Sequence, residues 1–196
     1  ETIDIALKAA ETGHLVLSTA HTTDAAKTIQ RLLSVFPSAE QNMVRIRLAE
    51  CLRAVISQRL LPRADGKGQI PAVETMVVTR VIQDCIRIAE RNYEINEFIS
   101  KGRTYGMQTF DQSLLRQLRE GLITREVAIS AATSPGDLDL QLRMGLGDED
   151  DEMAIEGHRG EAYHEMPLQF GSLPAEAAAE VDKELEVAQP KPPTPA

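Results

Sequence analysis

The chain has 196 residues, of which 42% are hydrophobic and only 4% aromatic, with no tryptophan. This length suits one domain, or one domain with a small appendage, and the scarcity of aromatic residues argues against stacking on nucleic acid. No apolar run approaches the roughly 20 residues of a membrane-spanning helix, and no signal-peptide pattern is seen. We therefore predict a globular body without a nucleic-acid partner. Its two cysteines, Cys51 and Cys85, are interpreted as reduced, buried thiols, with a disulfide as the alternative that the sequence does not support.

The net charge of −9 is concentrated near the C-terminal end. From Asp148 onward there are 13 Asp or Glu and 3 Lys or Arg; subtracting these from 30 and 21 leaves 17 and 18 for the first 147 residues. The body is therefore near neutral. Because residues 147–196 hold few large apolar side chains and end in PKPPTPA, we predict an acidic, Pro/Ala-rich disordered tail. A docking role for this tail is the alternative.

In chain order, residues 2–12 predict an amphipathic helix that ends at Gly13. HLVLSTA, residues 14–20, is short, apolar and partly β-branched, which predicts a buried, parallel strand. Thr23 or Asp24 then caps a second helix that runs to about Phe36.

A longer helix is predicted from Ala39 to Leu60, with its apolar side formed by Met43, Ile46, Leu48, Leu52, Val55 and Ile56. ADGKG, residues 64–68, is a turn signal, and a hairpin between SQRLLP and QIPAVETMVVT is plausible. Thr79 caps the next helix. Further helices are predicted near residues 92–101, 108–120 and 124–133, separated by Gly102, Gly106, Gly121 and Pro135. The order predicts an α/β layer followed by a helical subdomain.

His21 is the first candidate functional residue, since it lies between the predicted strand and the next helix. Ligands of open α/β sheets bind beyond the carboxyl ends of strands, and helix N-terminal amides favour anions. Thr22 and Thr23 add hydroxyl donors. The alternative is a histidine whose ring is satisfied by backbone carbonyls. His14 lies roughly 20 Å away if residues 14–20 form a regular extended strand, in which case the two rings cannot share a metal, and we predict no metal site.

Other chemical motifs are absent. The sequence contains no CxxC, HExxH or GxSxG pattern, and no GxxxxGK[ST] phosphate-binding loop.

The stretch TGHLVLSTAHTTDAAKTIQRLLSVFP resembles the His box of secretion-type ATPases, the hexameric motors of type IV pili and type II secretion. FPSAEQNMVRIRLAECLRAVISQRLLP, AVETMVV and YGMQTFDQSL continue the resemblance. The opening ET resembles the end of the family's Walker B region. Extension and secretion ATPases often have a four-cysteine zinc site after the QRL segment, whereas LLPRADGKGQIPAVE contains no cysteine. This difference favours the branch that retracts pili.

The resemblance implies the C-terminal part of a RecA-like P-loop ATPase domain over residues 1–78, and a C-terminal helical subdomain over residues 79–146. It implies catalytic positions for three residues: His21 near the γ-phosphate, His14 as the other His-box histidine, and Glu1 at the edge of the Walker B region. Thr22 and Thr23 are the implied nucleotide-binding residues.

A retraction motif, AIRNLIR, aligns with residues 81–87 of this sequence. Ile82, Ile86 and Arg87 match it, and the remaining positions differ, which leaves a paralogue of the retraction motor open. An ordinary amphipathic helix is the alternative for these three residues. For Gln108, Thr109 and Asp111 helix capping is favoured, and for Gln58 and Arg59 a salt bridge or subunit contact.

The resemblance further implies a homo-hexamer that uses ATP and Mg²⁺, both held mainly by residues upstream of this chain. The implied partners are an inner-membrane pilus platform protein and the pilus assembly machinery. The implied location is cytoplasmic and peripheral to the inner membrane. The chain alone is then expected to be inactive. Two alternatives remain, an extension or type II secretion ATPase and a non-enzymatic module that docks a partner.

Overall fold

The computed structural model describes residues 2–144. Glu1 and the predicted acidic tail from residue 147 onward lie outside the described residues, as do residues 145 and 146. The α-helices and strands are α1 Thr2–Glu11, α2 Ala25–Ser34, α3 Ser38–Cys51, β1 Ala54–Pro62, β2 Gln69–Val77, α4 Arg80–Arg87, α5 Ile95–Lys101, α6 Phe110–Arg119, α7 Arg125–Ala131 and α8 Pro135–Met144. Two short 3₁₀ helices, Ala89–Glu94 and Arg103–Tyr105, precede and follow α5. In this part of the chain no helix has the length and apolarity needed to cross a bilayer.

The strands β1 and β2 form an antiparallel hairpin, as the turn signal predicted. Ala54 pairs with Val77 at one end and Pro62 with Gln69 at the other. Because side chains alternate between the faces of a strand, Ser57, Arg59 and Leu61 of β1 point towards the α6–α8 side, while Ile56 and Leu60 are 72% and 58% exposed on the outer face.

The prediction of a buried parallel strand at residues 14–20 is wrong. This segment has no regular structure, and Leu15 and Leu17 are 78% and 87% exposed. A parallel strand forms only when at least one neighbouring strand pairs with its backbone groups. Among the described residues the sheet consists of the hairpin alone, so this segment has no strand to pair with.

The single long helix from Ala39 to Leu60 is also wrong. α3 ends at Cys51, Leu52 turns to extended backbone (φ −64°, ψ 131°), and β1 starts two residues later. The apolar residues of this stretch belong partly to a helix and partly to a strand. Fitting a single helical period to all of them predicted one continuous helix. The predicted inward face is only partly right, because Leu48 is buried as predicted, Val44 is buried without having been predicted, and Met43 and Ile46 are exposed.

The helices after the hairpin largely follow the prediction. Thr79, Thr109 and Thr124 cap α4, α6 and α7 with their hydroxyl oxygens. The exception is α8, which the sequence analysis missed because Pro135 was interpreted as a break. Proline is favoured in the first turn of a helix, where its missing N–H costs nothing, and α8 begins at Pro135.

Two groups of buried side chains form the core, and the hairpin contributes to both. The first includes Leu7, Ile29, Leu48, Met76, Ile82, Ile86 and Ile95, and joins α1 to α5. The second includes Leu61, Ala72, Phe110, Leu114, Ile123 and Leu138, and joins the hairpin to α6, α7 and α8. Cys51 and Cys85 are free, with Cys85 buried and Cys51 half-buried. The division at residues 78 and 79 stays a prediction.

Candidate functional site

Residues 21–25 form the turn that leads into α2, and we call them the histidine turn. His21 is exposed, and its ring makes no hydrogen bond within residues 2–144. The alternative of a ring held by backbone carbonyls therefore has no support in the described part of the chain. Asp24 is the N-cap of α2 and accepts a hydrogen bond from the Lys27 amide at 2.8 Å. The turn thus presents a free imidazole next to a fixed helix start.

The two threonine hydroxyls of the turn are engaged in internal hydrogen bonds. Thr28 Oγ1 donates its proton to the Asp24 carbonyl oxygen at 2.9 Å. Thr22 Oγ1 lies 2.7 Å from Thr28 Oγ1 and is therefore the donor in the hydrogen bond between the two hydroxyls. Thr23 Oγ1 donates to the Asp24 carboxylate at 2.9 Å and accepts from Lys27 Nζ at 3.0 Å. Each hydroxyl proton would have to leave its present acceptor to reach a phosphate. A nucleotide-binding role for Thr22 and Thr23 stays a prediction.

The N-terminus of α2 is already occupied by two acidic side chains. The Ala25 amide donates to Glu74 Oε1 at 2.8 Å, and the Lys27 amide donates to Asp24. Burial alone would raise the pKa of Asp24, yet it is lowered because the Lys27 amide and the Thr23 hydroxyl donate to the carboxylate. Asp24 is therefore negative at neutral pH. This arrangement corrects the expectation that the helix N-terminus itself is free to attract an anion.

Glu74 lies on β2 and is only 3% exposed. Burial raises the pKa of its carboxyl, with Asp24 and Asp111 adding to the effect, while the Ala25 amide and Arg59 oppose it. Sequence analysis missed this residue as part of the site. The available signal was an acidic residue within the apolar run AVETMVV, since buried carboxylates need dedicated partners.

Arg59 of β1 is the second hairpin residue that contacts the histidine turn. Its Nη2 donates to the Thr23 carbonyl at 3.3 Å and its Nη1 to the Ala131 carbonyl at 2.7 Å. The guanidinium carbon lies 3.8 Å from the centre of the Phe110 ring. The predicted salt bridge is therefore replaced by two carbonyl contacts and a cation–π contact.

His14 lies at the end of α1. Its Nδ1 is 3.0 Å from Thr12 Oγ1 and 3.3 Å from the Ala9 carbonyl oxygen. The ring is exposed and helps to close the last turn of α1. The structure gives it a local contact with its own helix, and its catalytic role stays a prediction. Glu1 lies outside the described residues.

The sequence matches a known family model over residues 1–129, that of the Type II/IV secretion system protein. The chain belongs to this family. The twitching motility protein of Neisseria gonorrhoeae is 48% identical over 128 residues, which cover 65% of this chain and 34% of that protein. The type IV pilus retractation ATPase PilT of Pseudomonas aeruginosa is 47% identical over 135 residues, 69% of this chain and 39% of the relative.

A solved structure of the pilus retraction motor PilT with bound ADP has a TM-score of 0.62 and 38% identity, over 70% of this chain and 38% of that one. This secretion-system chain is therefore PilT-like, with the α/β fold of a RecA-like secretion ATPase domain. It spans between 34% and 39% of the length of these relatives.

In this PilT-like chain the three residues that match the retraction motif lie on α4. Ile82 and Ile86 are fully buried against α3, and the Ile86 carbonyl accepts from Arg45 Nη1 at 3.2 Å. Arg87 contacts Glu50 at 3.3 Å. α4 thus has the contacts of an amphipathic helix packed on α3, and a role specific to retraction stays a prediction.

Of Gln108, Thr109 and Asp111, only Thr109 caps a helix as predicted, whereas the other two side chains contact residues outside α6. Thr109 and Gln112 form a reciprocal capping box at the start of α6. Asp111 accepts from the amides of Thr133 and Ser134 at 2.7 and 3.3 Å, which ties the α7–α8 connection to α6. Gln108 donates to the Val73 carbonyl at 2.8 Å. These contacts account for the conformation of the segment after the hairpin.

Proposed function

We propose that this chain is the C-terminal portion of a hexameric ATPase that powers type IV pilus retraction and twitching motility. The observation that carries the proposal is its likeness to two relatives with these printed roles, at 48% and 47% identity. Because the chain spans little more than a third of their length, the activity belongs to a longer protein. We expect no ATP turnover from the 196-residue chain alone.

ATP and Mg²⁺ would be held mainly by residues outside this chain. Within it, the histidine turn fits one contact to a nucleotide, because His21 is exposed and its ring nitrogens are unused in the described part. The α2 amides of Ala25 and Lys27 already bind carboxylates. When bound, ATP supplies the transferred phosphoryl group and Mg²⁺ neutralises its charge.

In this proposal His21 donates a hydrogen bond from its ring to a γ-phosphate oxygen. A neutral or charged imidazole can do so near physiological pH. The ring then reports loss of the phosphate by losing its contact, and this change couples hydrolysis to domain motion. His14 and Glu1 remain secondary candidates, His14 because its ring contacts α1 and Glu1 because it precedes the described residues.

The helices after Thr79 would pass this motion to an inner-membrane platform protein and the pilus assembly machinery. The proposed location of the motor is the cytoplasm, peripheral to the inner membrane. The second candidate is a paralogue of the retraction motor. It is favoured by residues 81–87, where only Ile82, Ile86 and Arg87 match the retraction motif.

The test of the catalytic role compares ATP turnover and ATP binding of the longer protein with those of its His21→Ala variant. Loss of one donor to a transition-state phosphate lowers turnover by roughly a hundredfold or more, and binding through the remaining contacts should persist. Lys67→Ala, at an exposed position of the hairpin loop, is the control and should stay near the parent rate. Normal turnover of His21→Ala would refute the role given to His21.

A genetic test separates retraction from the other motor roles. The full-length gene is introduced into a pilated strain that lacks its retraction ATPase, and twitching is scored. Restored twitching supports a retraction motor. Failure there, with restored piliation in a strain lacking its extension ATPase, would identify an extension motor instead.

A further inference from the structure

Arg59 and Glu74 extend from the inner face of the hairpin to the same short turn. In the strand register Ser57 lies opposite Glu74 and Ala72 opposite Arg59. Residues offset by two positions on one face lie close enough for long side chains to interact. One side chain binds the amide of Ala25 and the other the carbonyl of Thr23.

Glu74 holds the first amide of α2 with its carboxylate, and only 3% of the residue is exposed. Burial of a carboxylate has a desolvation penalty even when the group is hydrogen-bonded, and an apolar residue could fill this space without that penalty. What the carboxylate provides is a fixed position for the start of α2. The first residue of α2 thereby keeps a constant distance from β2, 49 residues further along the chain.

Arg59 connects the histidine turn to the C-terminal helices. Its planar guanidinium binds the Thr23 carbonyl on one side and the Ala131 carbonyl, at the last residue of α7, on the other. The same group stacks on Phe110 of α6. A lysine ammonium is a compact charge without the planar fork by which the guanidinium binds both carbonyls and stacks on the ring. Movement of α7 relative to β1 would therefore alter the hydrogen bond between Arg59 and the Thr23 carbonyl.

We propose that Arg59 and Glu74 are positioning residues for the histidine turn, and that Arg59 couples this turn to α6 and α7. The coupling rests on the proposed function, because it matters for turnover only if His21 contacts the nucleotide. Two side chains from one rigid hairpin then set the position of the imidazole, and one of them transmits the state of the turn to the helical part.

The first experiment measures hydrogen exchange of the histidine turn in the longer protein. Arg59→Lys and Glu74→Ala should raise exchange by about tenfold at the hydrogen-bonded amides of Ala25, Lys27 and Thr28, whereas Glu74→Gln should leave it unchanged because its carbonyl oxygen still accepts from Ala25. The matched control is Arg63→Lys, whose guanidinium binds Asp65 in the hairpin loop. Equal exchange in Arg59→Lys and Arg63→Lys would overturn the proposal.

The second experiment measures the kcat and KM for ATP in a double-mutant cycle. Arg59→Lys should lower kcat by roughly tenfold to a hundredfold, the effect of a slightly misplaced catalytic group, while KM changes less than about threefold. In a His21→Ala background the same substitution should add little, since both changes remove one effect. Multiplicative losses would mean a purely structural role and overturn the coupling.

The two readouts separate this proposal from the function on which it rests. If His21→Ala turns over normally, the proposed function of His21 and the coupling to turnover both fail. The exchange data then still decide whether Arg59 and Glu74 position the turn.

Discussion

Arg87 donates a hydrogen bond from Nη2 to Glu50 Oε1 at 3.3 Å and so joins the end of α4 to α3. Ile86, one residue earlier, is fully buried. Two adjacent residues of one sequence motif therefore have different physical surroundings. The isoleucine belongs to the core, whereas the arginine takes part in a half-exposed ion pair.

Ile86→Ala should lower the free energy of unfolding by about 2–5 kcal/mol, because it removes buried methyl and methylene groups and leaves a cavity. Arg87→Ala should cost less than about 1 kcal/mol, as exposed ion pairs do. Urea denaturation of the chain measures both, with Ile88→Ala as control, since Ile88 is 44% exposed. Equal losses at Ile86 and Ile88 would contradict the packing described for α4.

Gly102 and Gly136 should respond oppositely to alanine. A Cβ at Gly102 would lie 2.7 Å from Met107 Sδ and 2.9 Å from the Phe98 carbonyl oxygen, so Gly102→Ala should destabilise by about 1–3 kcal/mol. At Gly136, inside α8, a Cβ meets no atom within 4 Å. Gly136→Ala should stabilise by up to about 1 kcal/mol through the unfolded state. Thermal denaturation decides, and a loss at both positions would be against the prediction.

The stability of the chain should depend on pH through Glu74. Burial raises the pKa of this carboxyl above its ordinary 4.5. Between pH 4.5 and the raised pKa of the folded state, the folded chain binds the proton more tightly than the unfolded chain does, so the free energy of unfolding falls as the pH rises. Lowering the pH from neutral towards 4.5 should therefore improve the wild type relative to Glu74→Gln.

Asp65→Asn is the control of opposite sign. A hydrogen bond from Arg63 lowers the pKa of Asp65 below 3.8, so its stabilising contribution is present above that value and is lost as the pH falls through the folded pKa. Acid should therefore penalise the wild type relative to Asp65→Asn. The difference in unfolding free energy between wild type and variant should change with pH in opposite directions for Glu74→Gln and Asp65→Asn. A change in the same direction for both variants would contradict the buried state of Glu74.

Arg47 should determine how firmly α1 is attached. Its guanidinium binds both carboxylate oxygens of Glu11 and also Asp4 at 3.3 Å, which joins α3 to α1. Arg47→Gln should accelerate hydrogen exchange throughout α1. The difference from wild type should shrink in 1 M salt, where the Debye length is about 3 Å. Arg31→Gln, on an exposed part of α2, should change little at either ionic strength.

The local signals in the sequence were sufficient for most helices and for the hairpin. Each capping threonine before α4, α6 and α7 accepts a hydrogen bond from the amide three residues later, and the turn signal spans five residues. Both signals are local, so they can be recognised from the sequence without knowledge of the fold. Residues 14–20 could not be assigned this way, because a parallel strand depends on partners elsewhere in the chain. α8 was missed because one proline signals either a break or a helix start.

The candidate site was predictable only in part. The position of His21 before a helix follows from local sequence, and the catalytic role predicted for it rests on the family resemblance. The contacts of Glu74 with Ala25 and of Arg59 with Thr23 join residues 49 and 36 positions apart. No periodicity or cap rule connects such positions, so only the folded hairpin reveals them.

The outer side of the hairpin has a consequence for handling the protein. In the described part, β1 is paired on one edge only, and its outer-face residues Ile56 and Leu60 are largely exposed. An open nine-residue edge flanked by apolar side chains is a template for strands of other molecules. We expect this edge to limit the solubility of the isolated chain despite a net charge of −9. A lysine at either position should raise the concentration at which the chain stays monodisperse.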